Sequence, residues 1–145
     1  MENEPQRRKR APGRGAGVNP TGRFEPIEIE PYPEETSEDP SPDTTFYEDS
    51  SCSIITRNNS PDIPFSASLN PYRGCEHGCA YCYARPTHEY LGFSAGLDFE
   101  SKVLVKRDAP NLLRRELSSR RWEPRTLSMS GVTDPYQPVE RKLRI

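Results

Sequence analysis

The residues best equipped for chemistry are three cysteines in one short segment, Arg73-Gly74-Cys75-Glu76-His77-Gly78-Cys79-Ala80-Tyr81-Cys82-Tyr83. Three thiols so close together are poorly spaced for a disulfide framework and suit metal or cluster ligation in a reducing compartment. Soft thiolates select zinc, copper(I) or iron–sulfur clusters over hard cations. A closed zinc site wants four ligands, commonly two close pairs, and no second cysteine pair follows here. His77 or His88 could complete a zinc site, although His77 lies inside the loop, where simultaneous ligation is awkward. A cuboidal cluster suits the triplet better. Three thiolates cap three irons and leave the fourth open to chelation by a small molecule. Cys52 stands outside the motif and reads as an ordinary thiol.

The elements that must position this loop are legible on both sides of it. Ser53-Ile54-Ile55-Thr56 has β-branched character and is broken by a turn at Asn58-Asn59-Ser60-Pro61-Asp62. Ser66-Ala67-Ser68-Leu69-Asn70 predicts a short strand ending where Pro71 removes a backbone donor. The loop follows, with Gly74 and Gly78 supplying conformational freedom. Val103-Leu104-Val105 is an apolar run between lysines, which suits a strand. Asp108 is placed to cap a helix with Pro110 in its first turn. Ala109, Leu112, Leu113 and Leu117 share one face of that helix, Arg114, Arg115, Arg120 and Arg121 take much of the rest, and Pro124 bounds it. Thr126-Leu127-Ser128-Met129-Ser130 predicts a second main strand, and Gly131 opens the loop after it. Strand, loop, helix, strand is the opening of an α/β architecture. Pro138 to Ile145 reads as the start of a further helix, and the chain reads as a fragment.

Composition bounds the rest. Of 145 residues, 32% are hydrophobic, and there are 16 prolines and 9 glycines, so one modest domain is the most the chain can form. The net charge of −2 hides an asymmetry: residues 1–50 carry six basic and twelve acidic side chains, and the remainder fourteen and ten. Residues 1–52 therefore read as a disordered tail rich in Pro, Gly and acidic residues, with a basic cluster at Arg7-Arg8-Lys9-Arg10. That cluster suits a solvated tail, contact with nucleic acid or a localisation signal. No apolar stretch approaches the ~20 residues needed to cross a bilayer, and no secretory leader is evident, so a cytoplasmic protein is expected.

The Cys-x3-Cys-x-Tyr-Cys pattern resembles the cluster motif of the radical S-adenosylmethionine superfamily. Asn70-Pro71-Tyr72-Arg73-Gly74-Cys75, Tyr81-Cys82-Tyr83-Ala84-Arg85 and Thr133-Asp134-Pro135-Tyr136-Gln137-Pro138 are similar to its spore photoproduct lyase-like branch. So are the upstream Arg14-Gly15-Ala16-Gly17 and Phe24-Glu25. The resemblance implies a 4Fe–4S cluster on Cys75, Cys79 and Cys82, with S-adenosylmethionine chelating the open iron. Reductive cleavage would then give methionine and a 5′-deoxyadenosyl radical.

The resemblance carries further expectations. Residues 53–145 would be the start of the core, the N-terminal part of a partial (β/α)6 TIM-like barrel, truncated at its C-terminus. Tyr81 would pack near the cofactor's adenine. Thr133 or Asp134 would receive the methionine amino group, where relatives carry a Gly-Gly-Glu-like segment. Both Cys75–Cys82 and Gly131–Asp134 follow strands, which places them at the ligand-collecting end of such a barrel. Arg73 and Arg85 either offset cluster charge or are solvated. His88 and Glu89 lie on a surface turn or bear on substrate. The implied partners are an electron donor such as a flavodoxin or ferredoxin and, by family analogy alone, a nucleic-acid substrate; no membrane is implied. The alternative is a non-catalytic iron–sulfur or zinc-binding fragment.

Overall fold

The computed structural model describes residues 13–17, 20, 23 and 43–145. The basic cluster at Arg7–Arg10 and the acidic stretch 24–42 lie outside them. Among the described residues, six strands form two small sheets: β1 (Thr45–Glu48), β2 (Ile55–Arg57), β3 (Ala67–Leu69), β4 (Tyr72–Arg73), β5 (Lys102–Val105) and β6 (Leu127–Met129). Three short α-helices accompany them: α1 (Leu97–Ser101), α2 (Ala109–Leu117) and α3 (Glu140–Leu143). A 3₁₀ helix spans Arg85–Leu91. The architecture is mixed α/β, with sheet orders β1-β5-β4 and β2-β3-β6.

The second sheet positions the segment that follows β6. β3 pairs with β2 antiparallel and with β6 in parallel, in the register Ala67↔Leu127 to Leu69↔Met129. Parallel neighbours need a long crossover, and here it contains the cysteine segment and α2. The C-terminal ends of β3 and β6 therefore lie side by side, where Ser130 N donates to Leu69 O at 2.8 Å. α2 packs Ala109 and Leu112 against Ile54 and Leu69, and its Glu116 accepts from Ile54 N at 2.6 Å. The helix ends at Leu117, so Arg120 and Arg121 fall beyond it, and Leu117 is exposed rather than on the buried face.

Order begins earlier than composition predicts. The expected tail of residues 1–52 contains β1, which pairs in parallel with β5 and buries Phe46 and Tyr47. Averaging charge and proline over fifty residues masks the local run Thr44-Thr45-Phe46-Tyr47, whose β-branched and aromatic side chains suit a pleated, half-buried surface. Phe46 joins Tyr72, Val103, Val105 and Val139 in one cluster, and Tyr47 joins Leu91, Phe93 and Leu104 in another. Among the described residues, no helix is long and apolar enough to cross a membrane.

Candidate metal centre

The cysteine loop leaves the first sheet directly. β4 pairs antiparallel with β5, and Gly74 then turns the chain at φ 84°. A Cβ there would lie 2.9 Å from Lys102 O and 3.0 Å from Phe99 O, so only glycine fits both the angle and the space. Cys75 N donates to Phe99 O at 2.9 Å, and turns follow at Gly78 N to Cys75 O and Cys82 N to Cys79 O, each 3.2 Å.

The three thiols differ in setting. Cys75 is buried with Ala84 and Phe99, while Cys79 and Cys82 are half-buried. Burial pushes the Cys75 thiol pKa up, opposed by backbone N–H groups of His77 and Asp134 directed at its sulfur. These backbone groups favour the charged form, but burial, helped by the nearby Asp134 and Cys82 charges, outweighs them and favours the neutral thiol. Among the described residues, no three His, Cys, Asp or Glu side chains converge on a point fit for one metal ion. A cuboidal cluster makes a different demand, one thiolate at each of three separate irons. The donor set, three soft thiolates on one glycine-turned loop, fits that group chemically.

The segment after β6 packs onto this loop. His77 Nε2 lies 3.3 Å from Asp134 Oδ2, and Asp134 Oδ1 accepts from Tyr136 N at 2.8 Å. Asp134 is exposed, so its carboxylate stands beside the loop in reach of solvent. Thr133 points the other way: it is buried and donates from Oγ1 to Tyr72 O at 3.0 Å. Gln137, fully buried, accepts from Glu76 N at 3.1 Å, and Glu76 Oε2 accepts from Val139 N at 2.9 Å. Asn70 Oδ1 accepts from Val132 N at 3.0 Å, and the Tyr83 hydroxyl donates to Gly131 O. Tyr81 is 90% exposed at the loop tip.

The flanking charged residues take roles that spacing alone did not suggest. Arg85 is neither solvated nor turned outward. It is buried and donates to Gly78 O at 2.7 Å, Cys79 O at 3.0 Å and Gly96 O at 2.8 Å. Arg73 pairs with Asp49 at 2.9 Å and donates to Ser51 Oγ at 3.1 Å. His88 and Glu89 are buried rather than on a surface turn. Glu89 accepts from Arg23 Nε at 2.6 Å. His88 packs against Phe93 and Phe99 at ring centroid distances of 5.2 and 5.5 Å, and neither ring nitrogen has a well-placed partner among the described residues. Its pKa is pushed down to about 4 by burial, partly opposed by the nearby Asp98 charge and backbone. That burial takes His88 out of the pool of accessible metal ligands.

Sequence reasoning missed Glu100 and Glu76, both buried in this region. Nothing in the local pattern marks them, because the contacts that satisfy them come from distant segments. A cavity of about 350 Å³ opens between β3, β6 and α2, lined by Leu69, Pro71, Leu113, Met129 and Tyr136, and no cysteine lines it.

Comparison with known proteins gives relatives without assigned activity. The chain is 48% identical over 82 residues to an uncharacterized protein of Mycobacterium tuberculosis, an alignment covering 57% of this chain and 24% of that protein. An uncharacterized protein of Mycobacterium bovis matches equally. One from Methanocaldococcus jannaschii is 30% identical over 77 residues, covering 53% of this chain and 27% of that protein. The chain thus spans about a quarter of the length of these relatives. No protein-family model matches it, and no solved structure matches it at a significant level.

Proposed function

We propose that this chain is the cluster-bearing part of a radical S-adenosylmethionine enzyme of the spore photoproduct lyase-like branch, acting in the cytoplasm. The observation that carries the reading is the joining of two separate segments. Cys75, Cys79 and Cys82 stand on one loop, and the segment after β6 brings Asp134 against that loop at its His77. The parallel pairing of β3 with β6, with the cysteine loop following β4 two residues after β3, is consistent with both segments lying at one end of a partial (β/α)6 barrel.

In this reading the three thiolates hold a 4Fe–4S cluster. The chemistry supplied there is one-electron cleavage of the sulfonium of S-adenosylmethionine to a 5′-deoxyadenosyl radical. The chain's own residues bind and orient. The backbone N–H groups of His77 and Asp134 favour the charged form of Cys75, against the burial that raises its pKa. Asp134, exposed beside the loop, offers a carboxylate to the cofactor's amino group. Thr133 holds the β6 exit against β4 through its bond to Tyr72 O, which makes it a support for Asp134. Tyr81, exposed at the loop tip, offers a ring for the adenine to stack on. A flavodoxin or ferredoxin would supply the electron, and a nucleic-acid substrate is proposed only from the resemblance.

Anaerobic reconstitution with iron and sulfide tests this directly. The expected product binds four irons and four sulfides per chain, as a 4Fe–4S cluster requires. Stoichiometric, tight zinc with no retained iron would instead mark a zinc-binding module.

A further inference from the structure

Two buried carboxylates flank the cysteine loop, Glu89 in the 3₁₀ helix after it and Glu100 in α1, and both are satisfied from far upstream. Gly15 N and Ala16 N each donate 2.9 Å bonds to the two Glu100 carboxylate oxygens. Arg14 donates from Nη1 to Glu100 O at 2.5 Å and from Nη2 to Thr44 Oγ1 at 3.0 Å. Arg23 pairs with Glu89. On its other side Glu100 meets Arg85 Nη2 at 3.4 Å, and Arg85 in turn holds the carbonyls of Gly78 and Cys79 inside the cysteine loop.

The upstream segment also touches the loop backbone. A Cβ at Gly15 would fall 1.9 Å from Gly78 O and 3.0 Å from Ala80 N. A Cβ at Gly78, whose φ is 62°, would fall 2.0 Å from Glu100 Oε2 and 2.7 Å from Arg14 Cβ. At Gly15 backbone thus packs on the loop backbone, while Gly78 needs glycine for its left-handed φ and for the close Glu100 and Arg14 side chains. By contrast, a Cβ at Gly17 would meet nothing within 4 Å.

We infer that residues 14–16 form a strap across the cysteine loop and that, with Glu100 and Arg85 as positioning residues, the strap holds the loop in its ligating shape. The inference rests on the cluster reading for its consequence but not for its geometry. A fully buried carboxylate is costly unless charge-assisted hydrogen bonds satisfy it, and the strap supplies two of them. Lifting the strap leaves Glu100 short of donors. It then swings toward water and takes Arg85 from the carbonyls that shape the Gly78–Cys79 turn.

The matched pair Gly15→Ala and Gly17→Ala in the full chain tests this, because the same methyl is added two residues apart. The first readout is the alkylation rate of Cys75 in the metal-free chain, which needs no cluster. The second is the half-life of bound iron under a chelator. Gly15→Ala should raise Cys75 alkylation about tenfold and shorten iron retention by a similar factor, with Gly17→Ala matching the wild type. Equal behaviour of the two variants overturns the strap. So does loss of hydrogen-exchange protection at Val103 and Leu104 in Gly15→Ala, because the segment would then be acting on the whole fold. If the wild type takes up no cluster, the cluster reading fails while the alkylation readout still decides the strap.

Discussion

At the residue scale, the four cysteines divide by setting. Cys75, Cys79 and Cys82 share the glycine-turned loop, whereas Cys52 is exposed and lies outside it. Replacing any one of the three by Ala should abolish a stable four-iron product, while Cys52→Ala retains it; iron and sulfide analysis after reconstitution checks both. His88 makes a separate prediction. Its folded-state pKa of about 4 lies below the ordinary 6.5, so the unfolded chain takes up the proton more readily. The stability contributed by the neutral ring is therefore complete above pH 6.5 and is lost as the pH falls towards 4. The shift corresponds to a loss of about 2 kcal/mol between roughly pH 7 and pH 5. His88→Phe keeps an aromatic ring against Phe93 and Phe99 and removes the titrating nitrogens. Urea midpoints should fall between those pH values in the wild type and fall measurably less in His88→Phe; equal falls would contradict the assignment.

At the element scale, local pattern located β3, β5, β6 and the start of α2 because each carries a self-contained signal. β5 is a run of Val103, Leu104 and Val105 between lysines, and α2 opens with a proline tolerated in its first turn. β1 was hidden by its acidic, proline-rich surroundings, and its partner β5 lies far along the chain. β4 was hidden because its two residues, Tyr72 and Arg73, sit between Pro71 and Gly74 and owe their strand geometry to β5. The end of α2 shows the limit of periodicity. Leu112 and Leu117 fall on one face by spacing, but only Leu112 is buried, at 5% exposure against 39%. Leu112→Ala should therefore cost about 3 kcal/mol through lost burial and a cavity, and Leu117→Ala less than about 1 kcal/mol. Chemical denaturation of the two variants separates them, and equal losses would place the helix end wrongly.

At the scale of the whole molecule, the proposed ligands could be named from the sequence, but the residues that support their loop could not. The cysteine triplet stands out in the sequence because three thiols fall within eight residues. Glu100, Glu76 and Gln137 carry no such signal, since a buried polar residue is defined by what the fold brings to it: the Gly15 and Ala16 amides for Glu100, and each other's segments for Glu76 and Gln137. The described residues bring the exits of two parallel strands together and set an exposed carboxylate, Asp134, beside the cysteine loop. In the proposed function, a cluster on this loop keeps one iron open to S-adenosylmethionine. Electron paramagnetic resonance of the reduced, reconstituted chain, recorded with and without S-adenosylmethionine, tests it most directly. A cluster signal whose g-values shift on addition of the cofactor is expected, with the shift weakened in Asp134→Asn. A reduced cluster whose spectrum is identical with and without S-adenosylmethionine would contradict it.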